Sequence, residues 1–202
     1  MYKLIPLIVS LLLLTNCATQ QVGSGEKTDV GIWQGKVMMT NKNNKNRKWA
    51  YVTWVSDSPN QRMRIDVRAI LDTPVATYIR DESGAHLWLY LDGKYFYSKD
   101  AEKLFSQLVK FSFDPDNFFS FLGNPKKLGE PWSCTNKDDL YTCLSPEQKT
   151  NVSINHSEND KRVIKVEKGA KGLRVRLSRA KVQVGSQLFR KPSTTHFETI
   201  EI

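Results

Sequence analysis

The sequence predicts a mainly β fold, one long antiparallel sheet interrupted by a helical insertion. Three observations predict it. Short runs rich in Val, Ile and aromatics recur between turn residues. Two of them alternate cleanly, "RMRIDVR" and "LRVRLSR". The apolar period changes from two to that of a helix only between Asp100 and Pro125.

The first strands fall at residues 33–40 and 48–56, separated by the polar "NKNNKNR". In "RMRIDVR" Met63, Ile65 and Val67 face one way, and Arg62, Arg64, Asp66 and Arg68 the other. A strand at 75–80 follows, then a turn at Asp81-Glu82-Ser83-Gly84. Strands at 85–91 and 94–98 flank Asp92-Gly93, a two-residue hairpin signal. The run 85–91 is apolar on both faces, which suits burial beneath a helix.

"DAEKLFSQLVKF" opens with Asp100 as N-cap and sets Leu104, Phe105, Leu108 and Phe111 on one stripe. "DPDNFFSFLGNP" predicts a second, short helix, with Asp114 capping, Pro115 in the first position and Gly123-Asn124-Pro125 ending it. Strands resume at 151–157, 162–168, 173–184 and 197–202. With no internal repeat, 202 residues suffice for one domain with a sizeable core. A sheet this long must curl or split. Curled around the helices, it encloses one apolar space.

The N-terminus, "MYKLIPLIVSLLLLTNCATQQ", carries Lys3 before an uncharged run from Leu4 to Asn16. That run is too short to span a bilayer and suits a secretory signal peptide. Leu14-Thr15-Asn16-Cys17 resembles the lipobox of bacterial lipoproteins, with Asn16 where Gly or Ala is usual. In such proteins the Cys becomes the acylated first residue of the mature chain; the alternative is an ordinary signal peptide containing an incidental Cys. The expected organisation is a signal peptide over 1–16, lipidated Cys17 with a tether over 17–29, and a single domain over 30–202. By random-coil scaling the tether spans about 20 Å, keeping the body near the membrane. Multiple acyl chains would make the anchor stable. Ala18, in place of Asp, implies export to the outer membrane, with the body facing the periplasm.

With Cys17 used for lipid, Cys134 and Cys143 are left as an even pair in an oxidising compartment, around the turn-like Asn136-Lys137-Asp138-Asp139. A disulfide is expected, and zinc is the rival. Catalytic patterns are missing: His86, His156 and His196 are isolated, and there is no Gly-x-Ser-x-Gly elbow or Gly-rich phosphate loop before a helix. The expectation is a protein that is not an enzyme and has no cofactor and no metal. The net charge of +9 is mostly the wet face of a sheet. A modest bias of this kind attracts an acidic carrier or anionic headgroups over short range. Nucleic acid is not expected in the compartment the lipobox implies.

Several motifs, taken in order, resemble the LolA/LolB superfamily of lipoprotein carriers and receptors, and its LolB branch more closely. They are "IWQGKV", "RMRIDVRAILDTPVATYIRDESG", "LDGKYFYSKDAEKLFSQL" and "FFSFLGNP", with "YSKDAEKL" the most specific. The resemblance covers about residues 33–125 by motif and the remainder by strand pattern. It implies an incomplete, half-open antiparallel β-barrel covering a hydrophobic cavity, with helices across the mouth as a lid.

It also implies a monomeric outer-membrane receptor that accepts lipoprotein acyl chains from a LolA-like periplasmic carrier and helps insert them into the membrane. By the same resemblance the turn between the third and fourth strands carries an exposed Leu, here Leu71, with Ile70 its near alternative. Asp72 stands where the family commonly has Gly, and Pro74 stiffens the turn. The other possibility is a half-buried turn residue packed on a neighbouring strand. The expected cavity lining is Trp33, Val37, Trp54, Ile65, Val67, Leu87, Leu89, Leu91, Phe105, Leu108, Phe118 and Leu122, each equally readable as plain core. Rival functions are a binding module for another lipid or amphiphile, and a structural envelope lipoprotein with a filled core.

Overall fold

The computed structural model describes residues 30–41, 44–122, 128, 131–145, 149–157, 160–180 and 187–202. Among these, twelve strands form one sheet that is not closed. A first meander runs through β1 (Val30–Asn41), β2 (Asn44–Asp57), β3 (Arg62–Arg68), β4 (Pro74–Asp81), β5 (Gly84–Leu89) and β6 (Lys94–Ser98). Two helices follow, α1 (Ala101–Val109) and α2 (Asn117–Leu122). A second meander comprises β7 (Ser133–Lys137), β8 (Leu140–Ser145), β9 (Thr150–Ser157), β10 (Lys161–Lys168) and β11 (Lys171–Arg179). Antiparallel pairing of β1 with β11 joins the two meanders. Gly35 permits that junction, since a Cβ there would lie 1.8 Å from the Arg176 carbonyl oxygen of β11.

The alternating strands fall as their patterns require. Met63 and Ile65 of β3 are buried and Val67 half-buried, and Leu173, Val175 and Leu177 of β11 are buried. In register across the sheet, Trp33, Trp54, Ile65, Tyr78, Leu87 and Phe96 form one row of the inner face. The helices pack on that face. The side chain of Asp100 accepts from the Lys103 N–H (2.9 Å), capping α1 as expected, and Lys110 ends it in the left-handed region (φ 66°). Asp114 accepts from the Asp116 N–H (2.9 Å) in a turn before α2, which starts two residues later than its Pro would place it. The expected stop at Gly123-Asn124-Pro125 lies outside the described residues.

The hairpin loops differ from expectation in two places. The polar stretch expected to separate the first two strands is largely strand, since β2 begins at Asn44 and Asn44 pairs with Asn41 of β1. Leu89 pairs with Lys94, so the loop between β5 and β6 spans Tyr90 to Gly93 and not two residues. The Tyr90 N–H still bonds to the Val75 carbonyl (3.0 Å) in register with β4, and the Gly93 N–H closes the turn on the Tyr90 carbonyl (3.4 Å). The strand expected over 173–184 ends at Arg179; residues 181–186 lie outside the described residues.

The C-terminus supplies the largest departure. β12 (Glu198–Glu201) pairs with β6 in parallel, not antiparallel, and forms an edge. Before it, a strap over residues 187–197 crosses the outer face of the first meander. Arg64 Nη1 donates to the Arg190 carbonyl (2.8 Å), the Arg62 guanidinium lies over the Phe189 ring (4.7 Å), and Phe197 meets Tyr90 edge-on (5.7 Å). The sheet residues Val55, Ile79, His86 and Trp88 of this outer face are buried. β5 is therefore covered on both faces, by α1 inside and by the strap and neighbouring aromatics outside.

Candidate functional site

The inner face and the helices share one apolar cluster that runs from Trp33 of β1 to Leu177 of β11. Its centre is aromatic. Phe118 of α2 lies 4.4 Å from the Trp54 ring, 5.9 Å from Phe105, 5.1 Å from Phe113 and 5.5 Å from Phe121, centroid to centroid. Phe105 meets Tyr78 edge-on at 5.3 Å. Two polar atoms lie in this apolar region without a hydrogen-bond partner, Trp54 Nε1 and Tyr78 Oη. Burial pushes the Tyr78 hydroxyl pKa far up.

The helices are also tied to the sheet by polar contacts. Arg80 Nη2 of β4 pairs with the Asp116 carboxylate before α2 (2.8 Å). Lys168 Nζ donates to the Ser112 carbonyl (3.0 Å), and Lys171 Nζ to that of Lys110 (2.6 Å). Burial raises the Asp116 carboxyl above its ordinary value and the Arg80 charge opposes it; burial likewise raises Asp114.

The residues expected to line an interior divide into three groups. Trp33, Trp54, Ile65, Leu87, Phe105, Phe118 and Leu122 are buried in the cluster. Val37, Val67, Leu89 and Leu108 are half-buried against it. Leu91 does not belong there: it is 74% exposed, because the longer loop carries it past the end of β5. Cys17 lies outside the described residues. Cys134 and Cys143 are direct cross-strand partners between β7 and β8 and form a disulfide.

The turn between β3 and β4 is the most unusual local structure. Leu71 is 93% exposed and Ile70 62%. Leu71 has φ 63° and ψ 27°, and Asp72 has φ 62°, so two consecutive non-glycine residues occupy the left-handed region. A bulky residue rarely does so. The turn is held by the Ala69 N–H on the Thr73 carbonyl (2.8 Å) and by an Arg68–Asp72 ion pair (2.8 Å). The half-buried alternative for Leu71 is thus excluded.

The opposite end of the sheet is polar. Asp81 accepts from Ser83 N–H (2.9 Å), Ser83 Oγ (2.6 Å) and Lys191 Nζ (2.8 Å). His86 Nε2 meets Lys191 Nζ (2.8 Å) and Ser83 Oγ (3.0 Å), while its Nδ1 meets Tyr95 Oη (2.8 Å). A pocket of about 450 Å³ beside this knot is lined by Asn60, Gln61, Arg80, Asp81, Ser83 and Lys99, among others. Burial alone would raise Asp81, yet the bonds from Lys191 and Ser83 overcome it and hold the carboxyl below its ordinary value. Burial, then the Lys191 charge, push the His86 pKa down.

Sequence reasoning missed Tyr78, Phe113 and Phe121 in the centre, and the whole strap. Tyr78 was legible from alternation with Ala76. Phe113 sits between the two helices, where no period applies. The chain matches no protein-family model and no curated protein.

Proposed function

We propose that the chain is a non-enzymatic acyl-chain receptor of the LolB kind, held at the outer membrane by lipid on Cys17 and facing the periplasm. In this reading the sheet acts as a half-open barrel and α1 with α2 as its lid. Acyl chains of a lipoprotein pass from a LolA-like carrier onto the inner face and then into the bilayer. The observation that carries the reading is Leu71, which stands in water on a left-handed backbone. Each such residue costs on the order of 1–3 kcal/mol, and full burial in lipid returns roughly 1.5–3 kcal/mol for a Leu side chain. A strained, exposed apolar tip has a physical reason if its end state is a membrane.

The aromatic centre fits the same reading. An acyl chain of ~15 methylenes gains on the order of 12 kcal/mol when fully buried, too much for a transfer step. Lifting the lid uncovers Phe105, Phe118 and Phe121, which costs roughly 5–9 kcal/mol at 1.5–3 per side chain. The phenyl groups act as the resident occupant and weaken the grip on cargo to a reversible level. Leu71→Glu tests the reading: transfer of lipoprotein into acceptor vesicles falls at least tenfold while the unfolding midpoint stays unchanged. Normal insertion by that variant would refute it.

A second reading, a structural lipoprotein whose interior stays filled, is favoured by the close ring contacts around Phe118. A hydrophobic dye separates the two. Saturable uptake, displaced by an acylated peptide, supports the receptor, and complete exclusion of the dye supports the filled core.

A further inference from the structure

Leu71 is not alone at its end of the sheet. The Tyr90 N–H bonds to the Val75 carbonyl, so the loop carrying Leu91 lies beside the Leu71 turn. One rim therefore shows Ile70, Leu71 and Leu91 to water. On the outer face just behind this rim, Tyr51 stands opposite Arg68, the last residue of β3 before the turn. Trp49 and Tyr51 are 47% and 43% exposed, a position and chemistry suited to the headgroup layer. Lys36 Nζ lies over both rings, at 5.2 and 5.3 Å.

The charges here are arranged against the sheet's own stability. Lys36 is the direct cross-strand partner of Arg176. Arg174 faces Lys165, whose own charge is paired with Glu167 (3.0 Å). Like charges directly opposite destabilise a sheet. Among the described residues Lys36, Arg174 and Arg176 have no carboxylate partner, and the buried Nε of Arg174 has no acceptor. The three cations, with Val37, Met38 and Trp49, line a surface pocket of about 290 Å³. An anion seated there would relieve the repulsion and give Arg174 an acceptor. The nearest acid of the turn, Asp72, is already neutralised by Arg68.

We propose that this rim and the cationic face behind it are one docking surface for an anionic bilayer. Leu71, Ile70 and Leu91 enter the acyl layer, while Lys36, Arg174 and Arg176 hold the phosphate of an anionic phospholipid. The inference rests on the membrane-delivery reading above and adds the lipid class and the orientation. It places the opposite, polar end away from the membrane.

The test uses the full chain with Cys17→Ala, in which an introduced Cys is the only thiol outside the disulfide. An environment-sensitive fluorophore is attached in turn at Leu91→Cys on the rim and at Glu82→Cys on the opposite end. The apolar N-terminal run can hold the chain on vesicles unaided, so the readout is which end becomes dry. On phosphatidylcholine vesicles containing phosphatidylglycerol, the label at 91 shifts to the blue and the label at 82 does not. Arg174→Glu with Arg176→Glu requires roughly thirty times more of these vesicles for half the signal, and high salt abolishes the difference. Equal response at both positions overturns the proposal, as does an unchanged signal on pure phosphatidylcholine or in the double variant. A chain that takes up acyl chains without the shift at 91 overturns this inference alone. The shift without acyl uptake overturns the transfer reading and leaves this surface standing.

Discussion

The two ends of the sheet answer the same local problem, how to turn a strand, with opposite chemistry. At the end bearing Asp81, the turn residues are knotted to one another and to the strap through Ser83, His86 and Lys191. At the end bearing Leu71, the turn shows Ile70 and Leu71 to solvent on a left-handed backbone, and the neighbouring loop adds Leu91. A polar knot is what folding stability alone would select, because Asp81 accepts from both Ser83 and Lys191. The apolar rim weakens the folded state, and the membrane reading proposed above supplies a reason for it.

The comparison can be broken by substitution. The largest effect is expected at the polar end. Asp81→Ala removes the acceptor for Lys191 and Ser83 together and costs about 1–3 kcal/mol in urea unfolding, with acyl transfer unaffected. If transfer fails as well, the two ends are not separable in function.

Acid should loosen the same knot in two steps. His86 has its folded pKa held below the ordinary value near 6.5, so the unfolded chain binds the proton first. Its contribution is complete above that value and declines as pH falls beneath it. Asp81, also held low, contributes fully above its ordinary value near 4 and is lost only at lower pH. The groups facing His86 are Lys191, Ser83, Asp81, Tyr95 and Tyr97. Amide protection over residues 187–197, taken relative to the intrinsic exchange rate at each pH, should therefore fall between about pH 7 and pH 5.5, while protection around Leu71 does not change.

The smallest effect is at the apolar turn, and it has the opposite sign. Leu71→Gly relieves the left-handed strain and raises stability by about 1 kcal/mol, seen as a higher unfolding midpoint. The same change removes the apolar tip. A loss of stability there would mean that Leu71 packs against something in the folded chain.

Most of the sheet was legible because period two survives burial on one face. "RMRIDVR" and "LRVRLSR" each place their apolar residues inward. The helix from Ala101 was legible from Asp100 and its stripe, although Val109 is buried more deeply than Leu108. The strap was not legible, because residues 187–197 have no period and act through single long-range contacts such as Arg64 to Arg190. Leu91 was misplaced for a related reason. Its strand looks unbroken in sequence, and the turn closed by the Gly93 N–H on the Tyr90 carbonyl takes Leu91 out of it. The cationic pocket was invisible because Lys36, Arg174 and Arg176, read one at a time, are the wet face of a sheet. The repulsion between Lys36 and Arg176 exists only once β1 and β11 are in register.

β12 follows β6 only after both helices and the whole second meander, and it covers the edge of β6. While the polypeptide is being made, that edge stays bare until this late segment has appeared. A bare edge recruits other strands. Folding that waits for the late segment, and then closes the sheet in one step, would spare the protein that hazard.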